Sequence, residues 1–300
     1  MLRRLGYACL SLSVAETSPR GTILRNATPE RLRALIAANL AGLKRVLEFN
    51  VECGVRMFRL SSDIVPFGSH PVNAISWWDE FAEPLAEIGT LIRHTGMRVS
   101  MHPGQYTVLS SPDQRIVDAA RADLAFHARL LDALGLDTRH KIVIHVGGAY
   151  SDRAAALDRW TTAFLNLPGY VRARLILEND ERLFGAEDVL RASAASGVPV
   201  VLDVLHHRVY AGPDADDALP DLMRKTARTW QSAYDGIPKI HYATQATGLR
   251  PGAHAEYVDP AEFAHFLDLA PEEVEFDCML EAKAKDRALF HVRDALGIAP

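Results

Sequence analysis

Short apolar runs alternate with longer amphipathic segments along the whole chain. The short runs have the length and β-branched content of buried strands, and the longer segments have apolar residues at helical spacing. Such alternation is typical of a parallel sheet whose strands are joined by crossover helices. Strands are predicted at residues 5–10, 57–60, 98–102, 141–146, 174–178, 200–204, 239–242 and 276–281.

The helices between these strands carry recognisable end signals. A long helix is predicted over residues 29–53, with Thr28 as N-cap, Pro29 in the first turn and Gly54 near its end. Another is predicted over residues 113–134, ending at Gly135. Residues 211–219 are acidic, contain Gly and Pro, and predict a loop leading into a helix. Eight strands in strict alternation with helices favour a closed (β/α)₈ barrel over an open doubly wound sheet.

The composition fits one domain over residues 1–300. A hydrophobic content of 48% is enough for one large core, and no Gly/Ser/Pro-rich linker divides the chain. Cys9, Cys53 and Cys278 lie far apart, which predicts neither a disulfide framework nor a thiolate zinc site and favours the cytoplasm.

The N-terminal segment has some features of a secretory signal peptide, because Arg3 and Arg4 precede an apolar stretch. Gly6, Ser11 and Ser13 interrupt that stretch, and the barrel needs this segment as its first strand. No window reaches the roughly 18 uncharged apolar residues of a membrane helix. We therefore expect a cytoplasmic protein without a membrane partner.

The formal net charge of −5 argues against a protein that coats nucleic acid, since such proteins are usually basic. Metal-binding carboxylates would nevertheless lower the formal charge, and bound divalent cations would reverse the field where a phosphate sits. A nuclease with a local basic rim is compatible with this composition.

Ligand-type side chains fall at the predicted strand ends or in the loops just after them. Strand ends of a barrel converge on one rim, so these residues are expected to be neighbours. A single such residue is more often a cap or a surface group, but burying eight would cost several kcal/mol per unpaired charge unless cations offset it. The candidates are His102, His145, Glu178, Asp203, His206, His241, His254 and Glu281.

Imidazole and carboxylate ligands without thiolate suit zinc, manganese or iron. The set is too large for one tetrahedral ion and suits two or three, with a carboxylate such as Glu178 bridging. Clustered ions of this kind clamp a phosphodiester for hydrolysis. The sequence contains no GxSxG, P-loop or GxGxxG motif, so no serine nucleophile or organic cofactor is expected.

Lys239 shares a strand face with His241 and is expected to point at the metals. It either neutralises a surplus carboxylate, or it has a lowered pKa that lets it take up carbon dioxide as a carbamate ligand.

Nine short motifs, each weak alone, follow one another in an order that resembles the ultraviolet damage endonuclease family. The match runs from near the first residue to about residue 288. The motifs are RLGY at residues 4–7, FRLSS at 58–62 with IVP at 64–66, SHP at 69–71, HPGQY at 102–106, HVGGAY at 145–150, LEND at 177–180, LHH at 205–207, KIH at 239–241 and EAKAK at 281–285.

The resemblance implies a (β/α)₈ barrel that nicks double-stranded DNA immediately 5′ to cyclobutane pyrimidine dimers and (6-4) photoproducts, leaving 3′-hydroxyl and 5′-phosphate ends. It implies that the eight residues above bind the metals, with manganese expected and magnesium, zinc or cobalt as alternatives. Lys239 would lie beside the cluster, and Tyr7 and His70 would line the pocket near the scissile phosphate.

The resemblance also implies that Gln105 and Tyr106 wedge into the duplex at the lesion. A damaged pair stacks poorly and is easier to extrude, so a wedge can select damage without reading sequence. Family members commonly carry Asn shortly after the first strand, where this chain has Leu10 and Ser11; Ser11 is the expected lesion contact there. The adjacent Trp77 and Trp78 are expected to be partly buried packing residues rather than a stacking platform.

Other activities fit parts of this pattern. An abasic-site endonuclease of related barrel fold and a sugar isomerase both use histidine and carboxylate metal sites. A lesion-binding protein without catalysis would explain a wedge but not a complete ligand set. No coiled-coil heptad or other association element is evident, which predicts a monomer.

Overall fold

The computed structural model describes residues 1–299, and these form a closed barrel of eight parallel strands surrounded by helices. The strands are β1 (Leu2–Ala8), β2 (Met57–Leu60), β3 (Arg98–Met101), β4 (Lys141–His145), β5 (Leu175–Glu178), β6 (Val200–Asp203), β7 (Lys239–Tyr242) and β8 (Phe276–Leu280). The helices are α1 (Pro29–Glu52), α2 (Trp77–Glu80), α3 (Ala82–His94), α4 (Gln114–Ala133), α5 (Arg153–Leu165), α6 (Gly169–Arg172), α7 (Ala186–Ser196), α8 (Val204–Ala211), α9 (Ala215–Ala227), α10 (Ser232–Asp235), α11 (Pro260–Leu269) and α12 (Lys285–Leu296).

Each strand pairs in parallel with the next one in sequence, and β1 closes the ring against β8. In that closing pair Leu5 lies opposite Cys278, and Tyr7 lies opposite Leu280. The predicted (β/α)₈ barrel is confirmed.

The first strand begins and ends earlier than predicted. Cys9 has a left-handed backbone with φ 76°, which ends β1 at Ala8 instead of Leu10. At the other end, β1 begins at Leu2, which pairs with Phe276 of β8; Arg4 lies opposite Asp277, and its guanidinium is 3.1 Å from that buried carboxylate. Pairing between strands that lie at opposite ends of the sequence cannot be read from local hydrophobicity.

Helix ends follow the sequence signals closely. The hydroxyl of Thr28 accepts a hydrogen bond from the backbone N–H of Arg31 at the start of α1. Asp113 caps α4 in the same way. Val204 opens α8 rather than ending a strand, and residues 215–219 of the predicted loop belong to α9. Apart from β1, the other predicted bounds differ from the observed ones by at most one residue at either end.

Trp77 is buried and packs edge-on against Phe126, as expected for a packing residue. Within residues 1–299, no helix combines the length and the apolar character needed to cross a bilayer.

Candidate metal centre

The strand ends deliver the predicted ligands to one mouth of the barrel. His145, Glu178 and Asp203 are the last residues of β4, β5 and β6. His102 and Glu281 follow directly after β3 and β8. Because all strands are parallel, these five side chains lie on the same rim.

His102, His145 and Glu178 form one candidate metal group, with one ligand atom from each within 4.8 Å of the others. Oε2 of Glu178 lies 3.0 Å from Nε2 of His102 and 3.4 Å from Nε2 of His145.

Glu178, Asp203, His241 and Glu281 form a second group of the same compactness. Here Oε1 of Glu178 lies 2.6 Å from Nδ1 of His241, which is also 3.3 Å from Oε1 of Glu281. Glu178 therefore belongs to both groups and presents a different oxygen to each, which is the geometry of a bridging carboxylate.

The remaining two predicted ligands stand at the edge of the second group. Nδ1 of His206 lies 3.7 Å from Oδ2 of Asp203, and Nδ1 of His254 lies 3.8 Å from Oε2 of Glu281. Their ring centroids are 6.3 Å apart. All eight side chains predicted as ligands thus meet at this mouth.

The residues fit divalent cations. Oδ2 of Asp203 and Nδ1 of His145 are buried and have no hydrogen-bond partner among residues 1–299. An orphaned buried acceptor is costly, and a cation bound beside it would remove that cost. The nitrogen and oxygen donors suit borderline and hard divalent metals.

The pKa values of Asp203 and His206, at the mouth, are shifted far from their usual values. Burial, with smaller contributions from Glu178 and Glu281, raises the pKa of Asp203 to about 8. Burial lowers the pKa of His206, but Asp203 and the neighbouring carboxylates outweigh it and raise that pKa to about 9. A cation entering here would displace protons, because metal ligands must be deprotonated.

Arg59 is a residue of this centre that sequence analysis missed. Its guanidinium donates to Oε1 of Glu281 and lies 3.0 Å from Nε2 of His241. It is buried and points into the barrel. Its position in β2 could have indicated this role. Strand alternation puts Arg59 on the same face as Met57, which packs inside the barrel against Met279.

Lys239 is buried on the inner face of the barrel, two residues before His241. Burial, followed by the nearby Arg98 and Arg59, holds its pKa well below the usual range. Carbamate formation at this amine stays a prediction.

Tyr7 and Ser11 were expected near the DNA at the mouth, but neither side chain lies there. Tyr7 is fully buried outside the barrel wall, where its hydroxyl donates to Asn50 of α1 and its ring packs on Phe58. Strand parity explains this, because the inward position next to it is Gly6. Ser11 is also buried, and its hydroxyl donates to Asp286 at 2.9 Å.

His70 lies on an exposed turn after β2, where its Nδ1 accepts from the backbone N–H of Val72; it is in neither metal group. Gln105 and Tyr106 lie on the loop after β3, and Tyr106 is 83% exposed.

Backbone strain is concentrated in the loops that follow the strands. Among residues 1–299, the non-glycine residues with positive φ lie in loops that follow a strand, except for one that is the first residue of the helix after such a loop. Residues held in this region cost free energy and cluster at functional sites. They are Cys9, Glu16, Phe67, Tyr150, Ser151 and Lys285.

A family model described as "UV-endonuclease UvdE" matches residues 3–298. The chain belongs to the UvdE family. A UV DNA damage endonuclease of Clostridium perfringens is 36% identical over 94% of this chain and 68% of its own length. Another, from Bacillus velezensis, is 34% identical over 99% of this chain and 94% of its own length.

Two solved structures share this fold. The crystal structure of SacUVDE superposes with a TM-score of 0.91 at 33% identity, covering 98% of both chains. Endonuclease IV from Thermus thermophilus gives a TM-score of 0.62 at 18% identity, covering 99% of this chain and 100% of its own. At that identity the second likeness concerns the fold alone.

Proposed function

We propose that this protein is a metal-dependent DNA repair endonuclease that nicks double-stranded DNA immediately 5′ to ultraviolet lesions. The proposed lesions are cyclobutane pyrimidine dimers and (6-4) photoproducts, and the proposed products carry 3′-hydroxyl and 5′-phosphate ends. Membership in the UvdE family and the names of its relatives support the substrate class.

One observation carries the proposal of metal-assisted hydrolysis: Glu178 presents separate oxygens to two groups of metal-ligand side chains. We propose two or three divalent ions, with manganese first and magnesium, zinc or cobalt as alternatives. When bound, such ions lower the pKa of a water and neutralise charge that develops on phosphate oxygens.

The protein side chains would position the ions and the DNA. Glu178 fixes the spacing of the two groups, and Arg59 holds Glu281 and His241 in place from inside the barrel. Side chains with their partners already fixed need little reorganisation during reaction, which favours catalysis. The exposed Gln105 and Tyr106 are proposed to fill the gap left by an extruded lesion.

A local basic rim supports DNA binding despite the acidic total. Exposed arginines and lysines lie on the loops that follow β1, β5, β7 and β8, at the same mouth as the metal groups. Contacts of this kind position the phosphate backbone. They are Arg25, Arg182, Arg250 and Lys283.

The test is an end-labelled duplex with one cyclobutane dimer, incubated with manganese or magnesium. The parent protein should give a single nick next to the dimer on its 5′ side, with a 3′ end that a DNA polymerase extends. Glu178→Gln should abolish nicking and leave lesion binding measurable. Glu187→Gln, the same substitution on the exposed face of α7, should nick like the parent.

The alternatives predict different results from the same preparation. An abasic-site endonuclease would cut a tetrahydrofuran-containing duplex in preference to the dimer. A lesion-binding protein would bind tightly in the absence of metal and never nick. A sugar isomerase would turn over aldoses. Any of these results would replace the proposal.

A further inference from the structure

The loop after β4 holds an exposed aromatic ring in a rare backbone conformation. Tyr150 and Ser151 are consecutive and both left-handed, with φ 51° and 68°. L-residues seldom adopt this region, and two in succession persist only where the surroundings fix them. The loop begins directly after the candidate ligand His145 and so lies at the mouth of the barrel.

The Tyr150 ring is held from within the protein yet remains 46% exposed. It packs against the backbone of Gly148, where a Cβ would lie 2.9 Å from the ring. The guanidinium carbon of Arg159, on α5, is 5.7 Å from the ring centroid, within the range of a cation–π contact. A ring fixed in this way is presented to solvent at little further loss of conformational freedom.

Hydrogen bonds tie this loop to the one that carries Gln105 and Tyr106. Nε of Arg159 donates to the carbonyl of Ser110 at 2.7 Å, and the Ser110 hydroxyl donates to the carbonyl of Gly148 at 3.1 Å. The two exposed tyrosines, Tyr106 and Tyr150, are therefore on neighbouring loops whose relative position is fixed.

We propose that Tyr150 is a second aromatic contact to DNA, on which a base near the lesion stacks. The proposal rests on the proposed function. What supports it is the combination of an exposed ring, a fixed loop conformation and a place next to the candidate ligand His145 at the mouth of the barrel. Every base has an aromatic face, so one exposed ring can serve any sequence beside a lesion. The cation of Arg159 beneath the ring adds attraction for DNA.

The test measures the affinity for a dimer-containing duplex whose linkage 5′ to the dimer cannot be hydrolysed. Tyr150→Asn removes the ring and keeps a residue that tolerates a left-handed backbone. Tyr150→Phe keeps the ring and removes the hydroxyl. Tyr234→Ala is the matched control, since Tyr234 is 67% exposed on α10, which precedes β7 at the opposite end of the barrel.

Tyr150→Asn is expected to weaken binding about ten-fold, in line with the loss of one stacked base, whereas Tyr150→Phe binds within about two-fold of the parent. Tyr234→Ala should leave the affinity unchanged, and metal content should be equal in all variants. Parent-like binding by Tyr150→Asn, or a loss in Tyr150→Phe as large as in Tyr150→Asn, would overturn the inference. Because the linkage is inert, this result is independent of whether the parent nicks DNA.

Discussion

Oε1 of Glu178 lies 2.6 Å from Nδ1 of His241, while its other carboxylate oxygen faces His102 and His145 on the far side of the mouth. A single carboxylate on β5 thus joins histidines from β4, β7 and the end of β3. This arrangement makes the two metal groups one unit, and it has consequences for stability as well as for catalysis.

Metal removal should destabilise the protein, because the buried carboxylates of Glu178 and Asp203 would lose the cations that offset their charge. A chelator is expected to lower the Tm by roughly 5 °C, and added manganese should restore it. Differential scanning fluorimetry measures this shift. A Tm that changes neither with chelator nor with added manganese would argue against a resident metal.

Arg59→Met should make the protein more dependent on metal. Removing the guanidinium leaves Glu281 without its cation, which costs about 3–5 kcal/mol for a buried pair, and bound metal should offset part of that cost. The difference in Tm between metal-loaded and chelated protein should therefore be larger than in the parent.

Arg98→Met is the matched control for Arg59→Met, because Arg98 is also buried and pairs with a carboxylate, Asp277, at 2.7 Å. It should lose stability equally with and without metal, since Asp277 belongs to neither metal group. Equal metal dependence in both variants would contradict the role assigned to Arg59.

Asp123 on α4 should control the order of the loop that carries Tyr106. One of its carboxylate oxygens accepts from Thr107 at 2.7 Å, and the other accepts from Ser69, next to His70, at 3.0 Å. Asp123→Ala should lower the ratio of affinities for damaged over undamaged duplex roughly ten-fold, about the effect of losing one hydrogen bond to a charged acceptor.

Thr107→Val should reproduce most of this loss, and combining it with Asp123→Ala should add little. Asp118→Ala, on the exposed side of the same helix, should keep the parent ratio. If Asp123→Ala and Asp118→Ala discriminate damage equally well, the carboxylate does not position the loop.

His140 should make the fold sensitive to acid. Burial lowers its pKa to about 4; Asp137 opposes this effect, and Arg98 and Arg174 reinforce it. The unfolded chain would bind a proton near pH 6.5, well before the folded chain does. The free energy of unfolding therefore falls as the pH drops from about 6.5 to 4, with no further loss from this residue below that window.

His140→Asn, measured by urea unfolding of chelated protein, should lessen this fall by about 3 kcal/mol. His265→Asn, an exposed histidine on α11, should retain the parent slope. Identical slopes for the parent and His140→Asn would contradict the assignment.

The sequence was informative where polar residues interrupt buried strands. His145, Glu178 and Asp203 were placed correctly because strand ends in a parallel barrel can only meet at one rim. Tyr7 was expected near the scissile phosphate only from the family resemblance, and the pattern could not test this, because both faces of a barrel strand are buried and hydrophobicity does not distinguish inward from outward positions.

Contacts between segments that are far apart in sequence could not be predicted from the sequence. Arg59 and Glu281 are 222 residues apart, and Asp123 reaches the loop after β2 from the middle of a helix. Nothing in the local pattern around these residues indicates their partners, since each pairing depends on how the strands and loops pack.

The central claim is that Glu178 links more than one divalent ion. It is tested most directly by counting manganese per chain, by elemental analysis of metal-reconstituted protein after removal of unbound ions. We predict at least two ions per chain in the parent, about one or fewer in Glu178→Gln, and parent stoichiometry in Glu187→Gln. A parent that holds a single ion, or a Glu178→Gln variant that keeps the full complement, would contradict the account.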